Sequence, residues 1–154
     1  SSSSYGGGVY VDSGTFTMEG GTISSNAANS GGGVYVKSGT FTMEGGTISG
    51  NKASSSSYGG GGVYVYSGTF TMEGGTISGN SATRFGGGVY VDSSGTFISG
   101  TFIKRNGGTI DAGNSASRGK AVFVDGSRPK VRNTAAGPEV NLDSRASGRA
   151  GDWE

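Results

Sequence analysis

Apolar and polar residues alternate in short runs along the chain. Three such runs are residues 9–11 (Val-Tyr-Val), 15–18 (Thr-Phe-Thr-Met) and 22–24 (Thr-Ile-Ser). An alternation with a period of two residues is typical of β-strands that bury one face. Glycine-rich turns separate the runs, because glycine adopts a positive φ at least cost. The pattern therefore predicts three short strands in each unit, and no part of it favours a helix.

The three-strand unit repeats along the chain. Residues 6–26 recur almost unchanged at 31–51 and 60–80, a looser copy begins at Gly86, and a partial fifth copy begins at Gly119. A single unit cannot fold alone. Its inward apolar side chains stabilise it by about 1.5 to 3 kcal/mol each, whereas ordering its backbone costs about 1 to 2 kcal/mol for every residue. Successive units must therefore stack and share hydrogen bonds, as in a solenoid.

Stacking in register places identical side chains above one another. The expected fold is all-β, a right-handed parallel β-helix of about four to five coils with three short strands per coil, and a strand spacing of about 4.8 Å makes a rod roughly 24 Å long. Residues 1–125 are expected to form this repeat domain, and residues 126–154 an irregular C-terminal cap or tail. The predicted inward columns are Val9, Val34, Val63, Val89 and Val122; Phe16, Phe41, Phe70 and either Phe97 or Phe102; and Ile23, Ile48, Ile77 and Ile110. A structural ladder of stacked side-chain amides is predicted at Asn26, Asn51, Asn80 and Asn114.

Composition excludes several kinds of site. The chain has no cysteine and no histidine, which excludes disulfides, Cys/His metal sites and a Ser-His catalytic pair. Its formal net charge is +1, and seven of its twelve Lys and Arg residues lie between positions 118 and 149, so no nucleic-acid partner is predicted. No apolar run approaches the ~18 residues of a membrane span. The sequence opens within the pattern and without Met, as expected of a mature product or a fragment.

Each Val-Tyr-Val run turns its aromatic residue away from the interior. Tyr10, Tyr35, Tyr64 and Tyr90 are therefore expected to form an exposed row on one face, continued by Phe123. Exposed aromatic rings in a row can stack on sugar rings or pack against a protein partner. Alternatively, the row only stabilises the sheet through contacts between neighbouring strands. The row is a candidate ligand-facing surface.

Threonines form a second candidate surface. Their regular Thr-x-Thr array resembles the ice-binding faces of β-helical antifreeze proteins, although threonine is also common on exposed strands for reasons of propensity alone. The array consists of Thr15, Thr17, Thr40, Thr42, Thr69 and Thr71.

Three glutamates are expected to stack beside the threonines. Glu19, Glu44 and Glu73 would repel one another by about 1 kcal/mol per pair in water at the strand spacing. One interpretation is that Ca²⁺ bridges them, because this ion binds several carboxylate oxygens. The favoured interpretation is that the side chains spread into solvent, so no metal site and no cofactor is predicted.

An enzyme is the main rival to a binding function, because many β-helix proteins cleave polysaccharides. Such a site needs carboxylates or basic groups that depart from the repeat and converge on one face. In the first three units the outward positions are nearly identical. One corner position varies along the chain, holding Asp12, Lys37, Tyr66 and Asp92. No catalytic residue is therefore predicted, and the protein is not expected to be an enzyme.

Two motifs carry a family resemblance. GGGV at residues 6–9 and I-x-x-N at residues 23–26, repeated in later units, resemble the GGA[ILV] and FxxN repeats of bacterial polymorphic outer-membrane proteins and related adhesins, with Ile in place of Phe. The resemblance implies a secreted or outer-membrane-associated module of the bacterial cell surface, structural or adhesive, that binds glycans, matrix or neighbouring cells. The alternative is a self-assembling fibre or surface-layer component, joined end to end through an open first coil. A polysaccharide-active enzyme and an ice-binding protein are less favoured alternatives.

Overall fold

The chain folds as a parallel β-helix, which confirms the predicted all-β architecture. The computed structural model describes residues 4–92, 100–105, 108–110, 113–125, 130–133 and 151–153. These residues form strands and turns, and none of them belongs to a helix that could cross a membrane. They build four coils and part of a fifth, wound so that each strand pairs with the same strand of the next coil.

Four sheets run along the stack. The tyrosine sheet contains, in order, Val9–Val11, Val34–Val36, Val63–Val65, Val89–Asp92 and Val122–Asp125. The phenylalanine sheet contains Thr15–Met18, Thr40–Met43, Thr69–Met72, Thr101–Lys104 and Lys130–Asn133. The isoleucine sheet contains Thr22–Ser24, Thr47–Ser49, Thr76–Ser78 and Thr109–Ile110. The short sheet, which adds a two-residue strand to the three predicted for each coil, contains Ala27–Ala28, Lys52–Ala53 and Ser81–Ala82.

Identical residues pair across neighbouring coils. Tyr10 pairs with Tyr35 in the tyrosine sheet, and Phe70 pairs with its counterpart in the preceding coil of the phenylalanine sheet. In the fourth coil Phe70 pairs with Phe102, so Phe102 continues the phenylalanine column, and Phe97 lies outside the described residues. The predicted valine, phenylalanine and isoleucine columns are confirmed by this register.

The inward columns form the main core of the protein. Phe41 and Phe70 are fully buried and stack with ring centroids 4.8 Å apart, and the Phe70 ring lies 5.0 Å from that of Phe102. Close contacts of this kind give many small dispersion gains that add up along a column. The methionine column changes at the fourth coil, where the buried Lys104 takes the position of Met72.

An asparagine ladder follows the isoleucine sheet. The Asn51 side chain donates from Nδ2 to Asn80 Oδ1 at 2.9 Å, and Asn80 donates in the same way to Asn114 Oδ1 at 3.0 Å. Asn26 in the first coil donates to Asn51 Oδ1 at 3.1 Å. Asn80 Nδ2 also donates to the Ile48 carbonyl of the preceding coil, at 2.9 Å. These bonds satisfy buried polar groups, each of which would otherwise cost about 1 to 3 kcal/mol.

The first coil is the more open end of the stack. Val9, Phe16 and Ile23 are half-buried there, whereas their counterparts one coil further on are fully buried. The same sequence therefore buries less apolar surface in the first coil than in the second.

At the other end, segments beyond residue 125 add strands to the stack. Lys130–Asn133 continues the phenylalanine sheet in parallel, and Gly151–Trp153 pairs antiparallel with residues 122–124 of the tyrosine sheet. The irregular cap or tail expected for residues 126–154 stays a prediction, because the structure describes only these two segments of it. The antiparallel strand covers backbone groups at an edge that could otherwise pair with another chain. End-to-end association through an open first coil stays a prediction.

Candidate binding site: a groove lined by tyrosines

The tyrosine row on the outer face of the tyrosine sheet is mostly buried, which corrects the expectation of an exposed row. Tyr10 is 45% exposed, but Tyr35, Tyr64 and Tyr90 are only 6%, 2% and 0% exposed. Together with Phe123 the buried rings form a second apolar cluster, separate from the main core. The physical reason is that other aromatic side chains cover the row.

The covering rings come from the segments that precede the first, third and fourth coils. Tyr5 lies 4.9 Å from Tyr35, measured between ring centroids, and Tyr58 lies 6.3 Å from Tyr64. Phe85 stacks on Phe123 at 4.5 Å. Each covering residue stands directly before a glycine run. This regularity is visible in the sequence and could have indicated that the outer face is covered.

The cover is interrupted because two small residues occupy its central positions. Backbone hydrogen bonds align Tyr5, Ser30, Gly59 and Phe85 in one column across four successive coils. Ser30 and Gly59 bring no ring to the cover. A Cβ on Gly59 would lie 1.6 Å from the Phe85 carbonyl oxygen, so only glycine fits there. A gap is therefore left between Tyr5 and Tyr58, the rings that cover Tyr35 and Tyr64.

This gap is a groove of about 290 Å³. Its volume is close to the lower end of the usual range for small-molecule sites, about 300 to 1,000 Å³. Six of the seven tyrosines of the chain line it. The lining residues of this tyrosine groove are Tyr5, Tyr10, Tyr35, Lys37, Tyr58, Tyr64 and Tyr66.

The strands of the tyrosine sheet explain how these residues converge. Tyr10 and Tyr35 stack with ring centroids 5.2 Å apart and planes within 8°, while Tyr64 meets Tyr35 edge-on at 4.9 Å. Tyr58 precedes a strand and Tyr66 follows one, so they approach the row from opposite ends of the strands. The row therefore lies between side chains from both strand ends.

Charged groups meet at one side of the groove. Lys37 Nζ lies 2.7 Å from Asp12 Oδ1, and this hydrogen bond raises the pKa of the Lys37 amine. The pair contributes a local dipole and little net charge. Sequence reasoning noted this corner as variable but did not assign Lys37 or Tyr66 to a site.

Buried tyrosine hydroxyls bind carboxylates of the next coil. Tyr64 Oη donates to Asp92 Oδ2 at 2.7 Å, and Tyr90 Oη donates to Asp125 Oδ2 at 2.9 Å. Burial raises the pKa of both hydroxyls far above the usual value, and the facing carboxylates raise it further. These hydroxyls therefore stay neutral and serve the structure.

The threonine array is regular in register but uneven in exposure. Thr15 and Thr17 are exposed, whereas the matching residues of the third coil, Thr69 and Thr71, are half-buried and buried. Thr40 and Thr42 lie between them and are half-buried. In the fourth coil Ile103 takes the position of Thr71, which ends the second column of hydroxyls.

The glutamate column is also interrupted at the fourth coil. Backbone bonds place Arg105 one coil beyond Glu73, and the Arg105 Nη1 atom lies 3.7 Å from Glu73 Oε1. Glu19 and Glu44 occupy the same column in the first two coils. In the described part of the chain, no three acidic, histidine or cysteine side chains are grouped so that they could hold a metal ion.

A family model described as a right handed beta helix region matches residues 1–138, which is most of the chain. The chain belongs to the right-handed β-helix family. No curated protein and no solved structure matches it. Family membership gives this β-helix its fold and hand, whereas its activity must be argued from the residues of the site.

Proposed function

We propose that this β-helix is a non-catalytic, extracellular surface module that binds carbohydrate in the tyrosine groove. The observation that carries the proposal is the convergence of six tyrosines on one groove of about 290 Å³. A sugar ring presents a face of C–H groups that packs on an aromatic ring, and tyrosine adds a hydroxyl that can bond the polar edge of the sugar. The sequence resemblance to bacterial surface repeats supports the same function.

The exposed rings are the ones that a ligand would meet first. Tyr5, Tyr10 and Tyr58 are the large apolar side chains that remain exposed in the described residues. The buried Tyr35 and Tyr64 support them from below, because each contacts one of these exposed rings. Compared with the ligand-facing row predicted from the sequence, the proposed contact surface therefore keeps Tyr10 and adds Tyr5 and Tyr58.

The charges around the groove support binding rather than catalysis. A glycoside hydrolase needs two carboxyl groups that flank the bond to be cleaved. Asp12 is paired with Lys37, and the buried Asp92 accepts a hydrogen bond from Tyr64. These carboxylates are thus engaged in contacts within the protein.

The test is an array of glycans and matrix proteins probed with the intact chain and with a Tyr10→Ala, Tyr58→Ala variant. Both side chains are 45% exposed, so their removal is expected to leave the fold intact. Binding to a glycan should fall about tenfold or more, the loss expected when two ring contacts are removed. The matched control is Thr15→Ala with Thr17→Ala, which truncates two exposed residues on a different sheet and should bind normally.

Two results would overturn the proposal. One is glycan binding that survives the loss of both tyrosines, and the other is measurable cleavage of any polysaccharide on the array. Binding to the matrix proteins of the array, with no binding to any of its glycans, would also contradict the proposal.

A further inference from the structure

The tyrosine row forms a continuous path of ring contacts from the surface into the buried aromatic cluster. Tyr10, which is 45% exposed, stacks on the buried Tyr35 with ring centroids 5.2 Å apart. Tyr35 contacts Tyr64 at 4.9 Å, and Tyr64 contacts Tyr90 at 4.8 Å. A second exposed ring, that of Tyr58, lies 6.3 Å from Tyr64. Rings at these separations are direct neighbours. An electron can therefore pass along the row in short steps.

The two most deeply buried phenols of this path each donate to a carboxylate. Tyr64 Oη donates to Asp92 Oδ2 at 2.7 Å, and Tyr90 Oη donates to Asp125 Oδ2 at 2.9 Å. Both distances are within the hydrogen-bond reach that proton transfer between an acid and a base requires. At an exposed ring the phenolic proton is released to water, which is a far weaker base than a carboxylate. The buried phenols therefore have the better proton acceptors.

The surroundings of these phenols favour oxidation over ionisation. Burial and the facing carboxylates raise the pKa of the Tyr64 and Tyr90 hydroxyls, so neither loses its proton alone. No phenolate forms when an electron leaves the ring while the proton moves to the carboxylate. The products are a neutral phenoxyl radical and a neutral carboxylic acid, and a buried site accommodates neutral groups more readily than charged ones. The negative charge of Asp92 also favours the loss of an electron from the neighbouring ring.

We propose that Tyr64 and Asp92 form an oxidation site, in which the buried phenol gives an electron through the tyrosine row to a one-electron oxidant at the surface. The oxidant is an organic or oxygen radical, or a metal complex, and it takes up one electron. The phenolic proton moves from Tyr64 Oη to Asp92 Oδ2 in the same step. The products are a Tyr64 phenoxyl radical, a protonated Asp92 and the reduced oxidant, so that electrons and protons balance. Tyr90 and Asp125 repeat the arrangement one coil further on.

The consequence of such a site is protection from cross-linking. Tyrosyl radicals on exposed rings couple in pairs and join two molecules through dityrosine. Tyr64 is 2% exposed, so a radical held there cannot reach a second molecule. An oxidising equivalent taken up at the surface is thus kept inside the stack until a reductant removes it. The inference does not depend on the ligand proposed for the groove.

The experiment oxidises the intact chain with photogenerated tris(bipyridine)ruthenium(III) and records electron paramagnetic resonance spectra of samples frozen after increasing delays. The unmodified protein should give a long-lived tyrosyl radical and few covalent dimers. The largest principal g value of this radical should be lower than that of a free tyrosyl radical, because the phenoxyl oxygen accepts a hydrogen bond from protonated Asp92. Tyr64→Phe with Tyr90→Phe should abolish the long-lived signal and increase dityrosine fluorescence, because the radical then stays on exposed rings.

The matched control is Tyr5→Phe with Tyr66→Phe, which also removes two phenols of the groove and leaves both buried pairs intact. It should keep the long-lived radical.

A second comparison isolates the carboxylate. Tyr90→Phe alone should keep the long-lived radical, because the pair of Tyr64 and Asp92 remains. Asp92→Asn added to Tyr90→Phe keeps the size of the side chain but removes the proton acceptor, and should abolish the signal. Circular dichroism checks that each variant is folded. If the Asp92→Asn variant does not fold, the phenylalanine variants and the g value of the unmodified protein still decide the question.

Several results would overturn the inference. One is a radical that lives as long in the Tyr64→Phe, Tyr90→Phe variant as in the unmodified protein. Others are a spectrum that assigns the radical to Trp153 and an unmodified protein that yields only dityrosine-linked dimers. Equal loss of the signal in the Tyr5→Phe, Tyr66→Phe control would show that the number of phenols matters and their burial does not.

Discussion

The first and third coils have almost the same sequence and very different surroundings. Residues 9–26 and 63–80 differ at two positions only, where Asp12 and Ser25 correspond to Tyr66 and Gly79. Yet Tyr10 is 45% exposed and its counterpart Tyr64 is 2% exposed. The difference arises from the neighbouring coils and loops, because the local sequence is shared. In this solenoid the position in the stack decides whether a side chain is buried in the fold or exposed at its surface.

The groove illustrates the same point. Its exposed rings belong to the first coil and to the loops before the first and third coils, where the aromatic cover is incomplete. Further along, Phe85 completes the cover over the fourth coil, and Tyr90 is fully buried. One repeated strand thus supplies an exposed aromatic surface at one end and a packed cluster at the other.

The two coils should differ most in the stability that each loses when a phenylalanine of the inward column is truncated. Phe70→Ala removes a fully buried ring that stacks on both sides, and should lower the free energy of unfolding by about 3 to 5 kcal/mol. Phe16→Ala removes a half-buried ring with one stacked neighbour, Phe41, and should cost less than half as much. Urea unfolding followed by circular dichroism measures both. Equal losses would mean that the first coil is as tightly packed as the third.

Truncation of the asparagine ladder should also destabilise the third coil more than the first, but by a smaller margin. Asn80 accepts from Asn51 and donates to Asn114, so Asn80→Ala leaves buried groups unsatisfied on both sides, at about 1 to 3 kcal/mol for each. Asn26 is half-buried and its side chain donates to Asn51. Asn26→Ala should therefore destabilise the protein less. The comparison uses the same urea experiment, and a larger loss from Asn26→Ala than from Asn80→Ala would contradict the role of the ladder inside the stack.

High pH should destabilise the protein through the buried Tyr64. Because the folded pKa of Tyr64 is raised by burial and by Asp92, the hydroxyl stays protonated in the folded chain at pH values where the unfolded chain, with a tyrosine pKa of about 10, has lost the proton. Below about pH 10 this contribution to stability is complete, and above it each such tyrosine costs about 1.4 kcal/mol per pH unit.

Urea midpoints measured from about pH 9 to about pH 12 test this dependence. Tyr64→Phe should make the loss of stability with rising pH less steep than in the unmodified protein. Thr17→Ala, at an exposed position that carries no titratable group, should keep the original slope. If Tyr64→Phe leaves the slope unchanged, its hydroxyl is not held neutral by the fold.

Much of this architecture could be predicted from the sequence, because identical units that stack in register bring like residues together. The period of two around Phe70 and the I-x-x-N motif that ends at Asn80 lead directly to the inward columns and the ladder. The structure of the outer face was harder to predict from the sequence. Alternation shows that Tyr64 points away from the core, but it does not show that Tyr58, from a loop of irregular length, covers it. The groove depends on the two positions that bring no ring to the cover, Ser30 and Gly59. Only the backbone hydrogen bonds between coils show that these two residues align with Tyr5 and Phe85.

The smallest expected effect comes from the second position at which the two coils differ. Ser25 has a φ of 57° and is the one non-glycine residue with a positive φ in the described part of the chain, whereas Gly79 adopts a φ of 62° at the same place. A Cβ on Gly79 would lie 3.9 Å from the nearest atom, the Gly50 nitrogen, so a side chain there is strained by backbone conformation and not by a clash. Ser25→Gly should therefore stabilise the protein by about 0.5 to 1 kcal/mol, and Gly79→Ser should destabilise it by about 1 kcal/mol.

The exchange of these two residues is a matched pair, because each variant takes the residue that the other coil already carries. If position in the stack affects packing but not this backbone turn, the two changes should be nearly equal in size and opposite in sign when measured by urea unfolding. A loss of several kcal/mol from Gly79→Ser would show that the third coil holds its turn more rigidly than the first. A loss of stability from Ser25→Gly would show that the serine side chain makes a compensating contact.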